Sequence, residues 1–131
     1  MTNQEQWKDI PDYEGRYQAS NLGRIRSMRC EIKYLRADGT LASRTQNEMI
    51  RSQFLFRGRY HITLVKFGIT RTILSHMLVA KAFIPNPHHY KYVIHIDGDI
   101  TNNHVDNLRW CGQTEIRQFY ANRRATKEKN Q

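Results

Sequence analysis

The sequence is short of cysteine, of proline, of acid and of long apolar runs, and each shortage removes a class of protein. Cys30 and Cys111 are the only cysteines among 131 residues, and neither sits in a Cys-x-x-Cys pair. A disulfide framework or a zinc ribbon is therefore excluded, and a reducing cytoplasm is the expected compartment. No stretch approaches the ~20 apolar residues that cross a bilayer, and Met1 to Gln6 are polar rather than a basic region followed by a hydrophobic one. A soluble chain, neither membrane-bound nor secreted by such a leader, is the expectation. Three prolines, seven glycines and 39% hydrophobic residues, with no internal repeat, exclude a fibrous or disordered chain. The length suits one compact domain or two small modules sharing a core.

Acid is the most telling shortage. Twelve Asp and Glu against 21 Lys and Arg leave a net charge of +9, the balance that a polyanion-binding surface requires. Nucleic acid is the leading partner. The densest positive stretch, Arg16 to Arg36, holds six basic residues and one acid, Glu31. A merely solvated basic surface is the bland alternative, and a membrane surface fits less well because no long basic amphipathic helix accompanies the charge.

Along the chain, the mixture of aromatics and turn formers from Trp7 to Tyr17 predicts an irregular approach to a small sheet. A turn at Asn21 to Gly23 leads to a strand over Gly23 to Met28, whose alternation puts Arg24 and Arg26 on one face. Asp38-Gly39 predicts a turn and Ala42 to Glu48 a loop. Phe54 to Phe56 and Tyr60 to Val65 predict a hairpin across Arg57-Gly58, with Thr70 to Thr72 opening a third strand. The period then changes. Ile73 to Phe83 has helical spacing, with Ser75 as cap and Pro85 and Pro87 as the stop. Tyr92 to Ile96 reads as a strand, Asp97-Gly98-Asp99 as a tight turn, Leu108 to Cys111 as the returning strand, and Glu115 to Lys129 as a helix with a basic face. The fold class is α+β: a β-rich module over residues 1–70, then a ββα unit with a basic helix over 71–131.

A His on a strand beside Asn103 and Asn107 suits a general base, oriented by amides and aimed at a phosphodiester through water. The competing reading of His95 is an imidazole that only satisfies a backbone carbonyl. His61 and His76 read as structural, and Trp7, Tyr13, Tyr17 and Trp110 as packing residues.

Longer motifs carry a resemblance. Leu78-Val79-Ala80-Lys81-Ala82-Phe83-Ile84-Pro85-Asn86-Pro87, then Val93-Ile94-His95-Ile96-Asp97-Gly98, Thr101-Asn102-Asn103 and Asp106-Asn107-Leu108-Arg109-Trp110, resembles the HNH endonucleases of phages and their introns, the homing type. Trp7, Ile10, Tyr13-Glu14-Gly15, Tyr17, Ser20-Asn21 and Gly23 to Ser27 are similar to the nuclease-associated modular (NUMOD-type) DNA-binding element that often precedes such a nuclease. The resemblance implies a ββα-metal finger. It gives His95 the role of general base, gives Asn107 that of holding the imidazole and the loop, and lets Asn102 and Asn103 close the turn. A single divalent cation, Mg²⁺ or Mn²⁺, is implied between the phosphate and the leaving oxygen. Its ligands would come from the residue before the His and from a position near the start of the last helix.

At those two positions stand Ile94 and Ile116. Neither offers an oxygen or nitrogen to a hard cation. Without the ion, charge on the leaving oxygen loses stabilisation worth several kcal/mol, on the order of 10³ in rate. The expectation is a DNA-binding member of the family that is catalytically impaired and holds no cofactor. The alternatives are an active endonuclease or nickase with metal held by Asp97 and Asp99, and a phage-encoded inhibitor that docks on a host protein. Arg24, Arg26 and Arg29, Arg57 and Arg59 at the hairpin, and Arg117, Arg123 and Arg124 on the last helix are the candidate phosphate contacts.

Overall fold

A computed structural model describes the backbone of residues 4–129 and the side chains of residues 4–122. The chain is α+β, with antiparallel sheets and two helices. Strands β1 (Trp7–Asp9), β2 (Tyr17–Ser20), β3 (Ile25–Ser27) and β6 (Met49–Ile50) form one sheet in that order. Between β3 and β6 the chain makes a separate two-stranded ribbon, β4 (Cys30–Leu35) with β5 (Leu41–Gln46). A third sheet orders β7 (Phe54–Phe56), β8 (Arg59–Lys66) and β9 (Ile69–Leu74). Helix α1 (Ser75–Phe83) follows, then the hairpin β10 (Tyr92–His95) and β11 (Leu108–Cys111), and finally α2 (Gln113–Lys129).

Local sequence explains most of this. In β3, Ile25 and Ser27 are buried while Arg24 and Arg26 point outward, as period-two alternation predicts. Turn Arg57-Gly58, with positive φ at both residues, joins β7 to β8 in the manner of a two-residue hairpin. Helix α1 ends where Ile84 turns to extended backbone ahead of Pro85, its N–H still reaching the Ala80 carbonyl at 2.8 Å.

One hydrophobic cluster joins the chain's two halves. Ile10 and Tyr13 of the β1–β2 connection and Tyr17, Ala19 and Ile25 of the first sheet pack with Ile62 and Leu64 of β8, Leu78, Val79 and Ala80 of α1, and Val93, Leu108 and Trp110 of the last hairpin. The boundary expected between residues 70 and 71 falls inside β9.

Three local expectations differ from the structure. The opening segment is not wholly irregular, because Trp7 to Asp9 pairs with Gln18 to Ser20. The loop expected at Ala42 to Glu48 is mostly strand β5, zipped to β4 over six residue pairs. Both sides of that ribbon are largely exposed, so its sequence lacks the apolar alternation that announces a half-buried strand. Ser75 is the first residue of α1, after Leu74 at the N-cap, and its buried hydroxyl makes no hydrogen bond. No helix among the described residues is long and apolar enough to cross a membrane.

Candidate functional site

The site is built on the β10–β11 hairpin, where Val93 pairs with Trp110, Ile94 with Arg109 and His95 with Leu108. Alternation puts Val93 and His95 on one face and Ile94 on the other. Val93 belongs to the central hydrophobic cluster, whereas Ile94 lies outside it although only 1% exposed.

His95 is 2% exposed. Its Nε2–H donates to Asn103 Oδ1 at 2.8 Å, and since an amide oxygen only accepts, the neutral ring keeps its lone pair on Nδ1. Against this ring lies that of His76, with centroids 4.7 Å apart and planes tilted by 52°. Burial pushes the His95 pKa down. The Asn103 bond opposes that shift, Arg59 reinforces it, and Asp97 and Asp99 oppose it weakly. For His76, burial first and then the positive charges of His95, Arg59 and His61 push the value down to about 3. Both rings are therefore neutral near pH 7.

His76 was expected to be structural, and its contact with His95 is what that reading missed. The signal was present in the helix period: His76 sits three and four residues before Val79 and Ala80, so all three share the buried face of α1.

Asn107 braces the loop, as the resemblance implies, while the hydrogen bond to the imidazole comes from Asn103 instead. Its Oδ1 accepts the Asp97 N–H at 2.9 Å, and its Nδ2 donates to Asp97 Oδ1 and to the Asn102 carbonyl, each at 2.9 Å. The Asn107 carbonyl also accepts the Ile96 N–H at 2.7 Å. One buried amide thus closes the loop from Ile96 to Asn107, leaving Asn103 to hold the imidazole. Asn102 does help close the turn, donating to Asp97 Oδ2 at 3.0 Å.

The residues present do not fit a hard divalent cation. Ile94 and the half-buried Ile116 contribute only hydrocarbon. Asp97 Oδ1 already accepts from the Asp99 N–H and from Asn107, and Oδ2 from Asn102. Asp99 Oδ1 accepts from the N–H and hydroxyl of Thr101. Those hydrogen bonds, led by Asn102 for Asp97 and by the Thr101 hydroxyl for Asp99, hold both carboxyls below their usual range. Glu115 lies exposed beside Ile116 on α2. Among the described residues no group of three or more His, Cys, Asp or Glu is placed to hold an ion.

The arginines fall into two sets. Arg24 forms an ion pair with Glu5, and Arg26 bonds Gln18 Oε1 at 2.6 Å and Glu48 at 3.2 Å. Both guanidinium groups lie over the Trp7 ring, Arg26 at 4.3 Å and Arg24 at 5.7 Å from its centroid. Trp7 is thus a platform for cations as well as a packing residue. Any anion that approached Arg24 and Arg26 would compete with these internal acids. By contrast, Arg29 and Arg117 are exposed, and Arg57 projects from the β7–β8 turn over Phe56. Arg59 reaches α2, its Nη2 donating to the Tyr120 hydroxyl at 3.3 Å. The side chains of Arg123 and Arg124 lie outside the described residues.

Comparison with known proteins agrees with this geometry. The NUMOD4 motif matches residues 5–65. A DNA endonuclease of Bacillus phage SP01, I-HmuI, is 33% identical over 108 residues, which is 82% of this chain and 53% of that protein. An uncharacterized HNH endonuclease of Acanthamoeba polyphaga mimivirus, L245, is 34% identical over 74 residues, 56% of this chain and 22% of that one. The chain therefore spans about half or less of the length of these curated relatives. A solved structure of DNA binding and cleavage by the HNH homing endonuclease I-HmuI superposes with a TM-score of 0.61 at 30% identity, covering 90% of this chain and 59% of that one. With the His95 hairpin and loop joined to a NUMOD4 motif, the chain is similar to HNH homing endonucleases over most of its length.

Proposed function

We propose that this chain binds duplex DNA on an HNH scaffold that has lost metal-dependent cleavage, with residues 1–70 as the DNA-holding module and 71–131 as the HNH module. One observation carries the reading. Both positions where the family grips its cation are isoleucine, and the nearby Asp97 is consumed by the turn that it braces. The net charge of +9 and the DNA-cleaving relative supply the partner. The cytoplasm of an infected host is the matching compartment.

A second reading, a working nickase, is favoured by the geometry of His95: a neutral imidazole with one nitrogen fixed by Asn103 is a competent general base.

Supercoiled plasmid incubated with the purified chain in Mg²⁺ or Mn²⁺ separates the two. The expected result is no nicking beyond that of a His95→Ala control, together with duplex affinity that falls steeply with salt. Nicking that the control abolishes overturns the inactive reading. Affinity indifferent to salt replaces DNA with a host protein as the partner.

A further inference from the structure

At the junction of the two halves lies a cavity of about 330 Å³, lined by Arg24, Arg51, Gln53, Tyr60, Thr101 and Asn103 among others. No carboxylate lines it. Arg51 follows directly on β6, its backbone N–H held by the Ile25 carbonyl at 2.8 Å. Its Nε is buried and has no hydrogen-bond partner, and no acid forms an ion pair with its guanidinium among the described residues. A buried donor left unpaired weakens folding. Such an expense is retained most readily where a ligand supplies the acceptor.

Guanidinium groups match tetrahedral oxyanions with two parallel N–H donors. Arg24 adds a second cation at the same cavity, shared with Glu5. Thr101 and Asn103 line the same cavity, and Asn103 holds the His95 ring. A ligand in this cavity thus rests on the residue that positions the imidazole.

We infer that Arg51, with Arg24, forms a pocket for one backbone phosphate of duplex DNA, seated against Asn103. The inference rests on the DNA-binding reading and gives it a specific anchor. Occupancy by a phosphodiester turns the Arg51 guanidinium so that its Nε–H, closed off in the free chain, gains an acceptor; it also competes with Glu5 for Arg24 and transmits contact with the duplex to His95 through Asn103. Free phosphate offers the same oxyanion, so the test must separate the two sources.

The experiment follows the Asn103 side-chain amide and the His95 ring by NMR during titration with a short duplex in EDTA, and separately with inorganic phosphate at constant ionic strength. Duplex is expected to move both signals in the wild type. In Arg51→Gln that response weakens by about tenfold, and the slope of log affinity against log salt becomes shallower by about one. Arg51→Lys retains the charge but not the fork, so it keeps the salt slope and loses much of the Asn103 shift. Thermal melts of both variants lie at or slightly above the wild type, because each removes the unpaired Nε–H while the backbone bond to Ile25 does not need the side chain. A duplex response that survives in Arg51→Gln, or a response to inorganic phosphate alone, overturns the pocket. Duplex binding with Asn103 unmoved sinks the pocket and leaves the DNA-binding reading intact, whereas no duplex binding at all sinks both.

Discussion

Gly23 and Asn103 touch so closely that a single methyl group fits between them only if Asn103 gives by a few tenths of an ångström. A Cβ at Gly23 would lie 3.0 Å from Asn103 Cβ and 3.1 Å from its carbonyl oxygen, and the Gly23 backbone sits at φ +94°. Beside this contact the Asn21 carbonyl accepts the Val105 N–H at 2.9 Å. The turn that leads into the arginine-bearing strand β3 is therefore a buttress for the loop that holds His95.

Gly23→Ala is expected to destabilise the chain by about 1–3 kcal/mol, from left-handed backbone strain and from displacement of Asn103 backbone atoms that cannot rotate away. A denaturant titration measures the loss. The His95 ring signal should shift in the same variant, whereas Gly39→Ala, at a φ of +86° with open space around it, brings the strain without that shift. Equal ring signals in the two variants would show that the buttress does not reach His95.

His76 makes stability depend on pH. Its folded value, near 3, lies below the unfolded reference of 6.5, so the unfolded chain binds more protons between those limits and folding weakens as pH falls through that window. The linkage amounts to about 2 kcal/mol between pH 7.5 and pH 5. The lowered value of His95 acts in the same direction. Urea midpoints across that range should fall steadily for the wild type and less for His76→Gln. A flat profile would place His76 in contact with solvent.

The turn and the ring-holding amide were partly legible in the sequence, for reasons that differ by residue. Asp97, Asn102 and Asn107 announce a loop because short polar side chains bond the backbone nearby, and the helix expected over Ile73 to Phe83 follows from its apolar spacing and the prolines beyond, although Ile73 and Leu74 pair with Ile62 and His61 as the end of β9. Which amide reaches the ring was not legible. Asn103 and Asn107 are both buried, and only the direction of the chain through the 3₁₀ turn at Val105–Asn107 decides the matter. The internal pairing of Arg24 and Arg26 also depends on tertiary placement, since Glu5 and Glu48 are brought to them from elsewhere in the chain.

Asn103 and Asn107 should separate in a mutational comparison. Asn107→Ala removes three part-buried side-chain hydrogen bonds from the turn, leaves the Asp97 N–H and the Asn102 carbonyl without their partner, and is expected to cost about 1–3 kcal/mol. Asn103→Ala removes the bond that raises the His95 pKa. Its signature is therefore a further downward displacement of the His95 titration by NMR, with a smaller loss of stability. An upward displacement would mean that Asn103 is not the residue that fixes the ring.

Restoring the cation site is the most direct test of what the two isoleucines do. Ile94 is 1% exposed, so an aspartate there is a buried charge unless an ion pairs with it, and such charges cost several kcal/mol. The double variant Ile94→Asp with Ile116→Asn should consequently melt well below the wild type in EDTA and recover when Mn²⁺ or Mg²⁺ is added, because an ion that binds only the folded state stabilises it by mass action. The wild-type melting temperature should be the same with and without the ion. Metal-dependent recovery accompanied by plasmid nicking would show that the scaffold, its general base and its DNA surface are intact and lack only the ligands. Recovery without nicking would place further loss elsewhere, with the burial of His95 as the first suspect. A double variant whose melting point ignores both metals would show that positions 94 and 116 do not converge on one ion, and the argument for a lost metal site would fall with it.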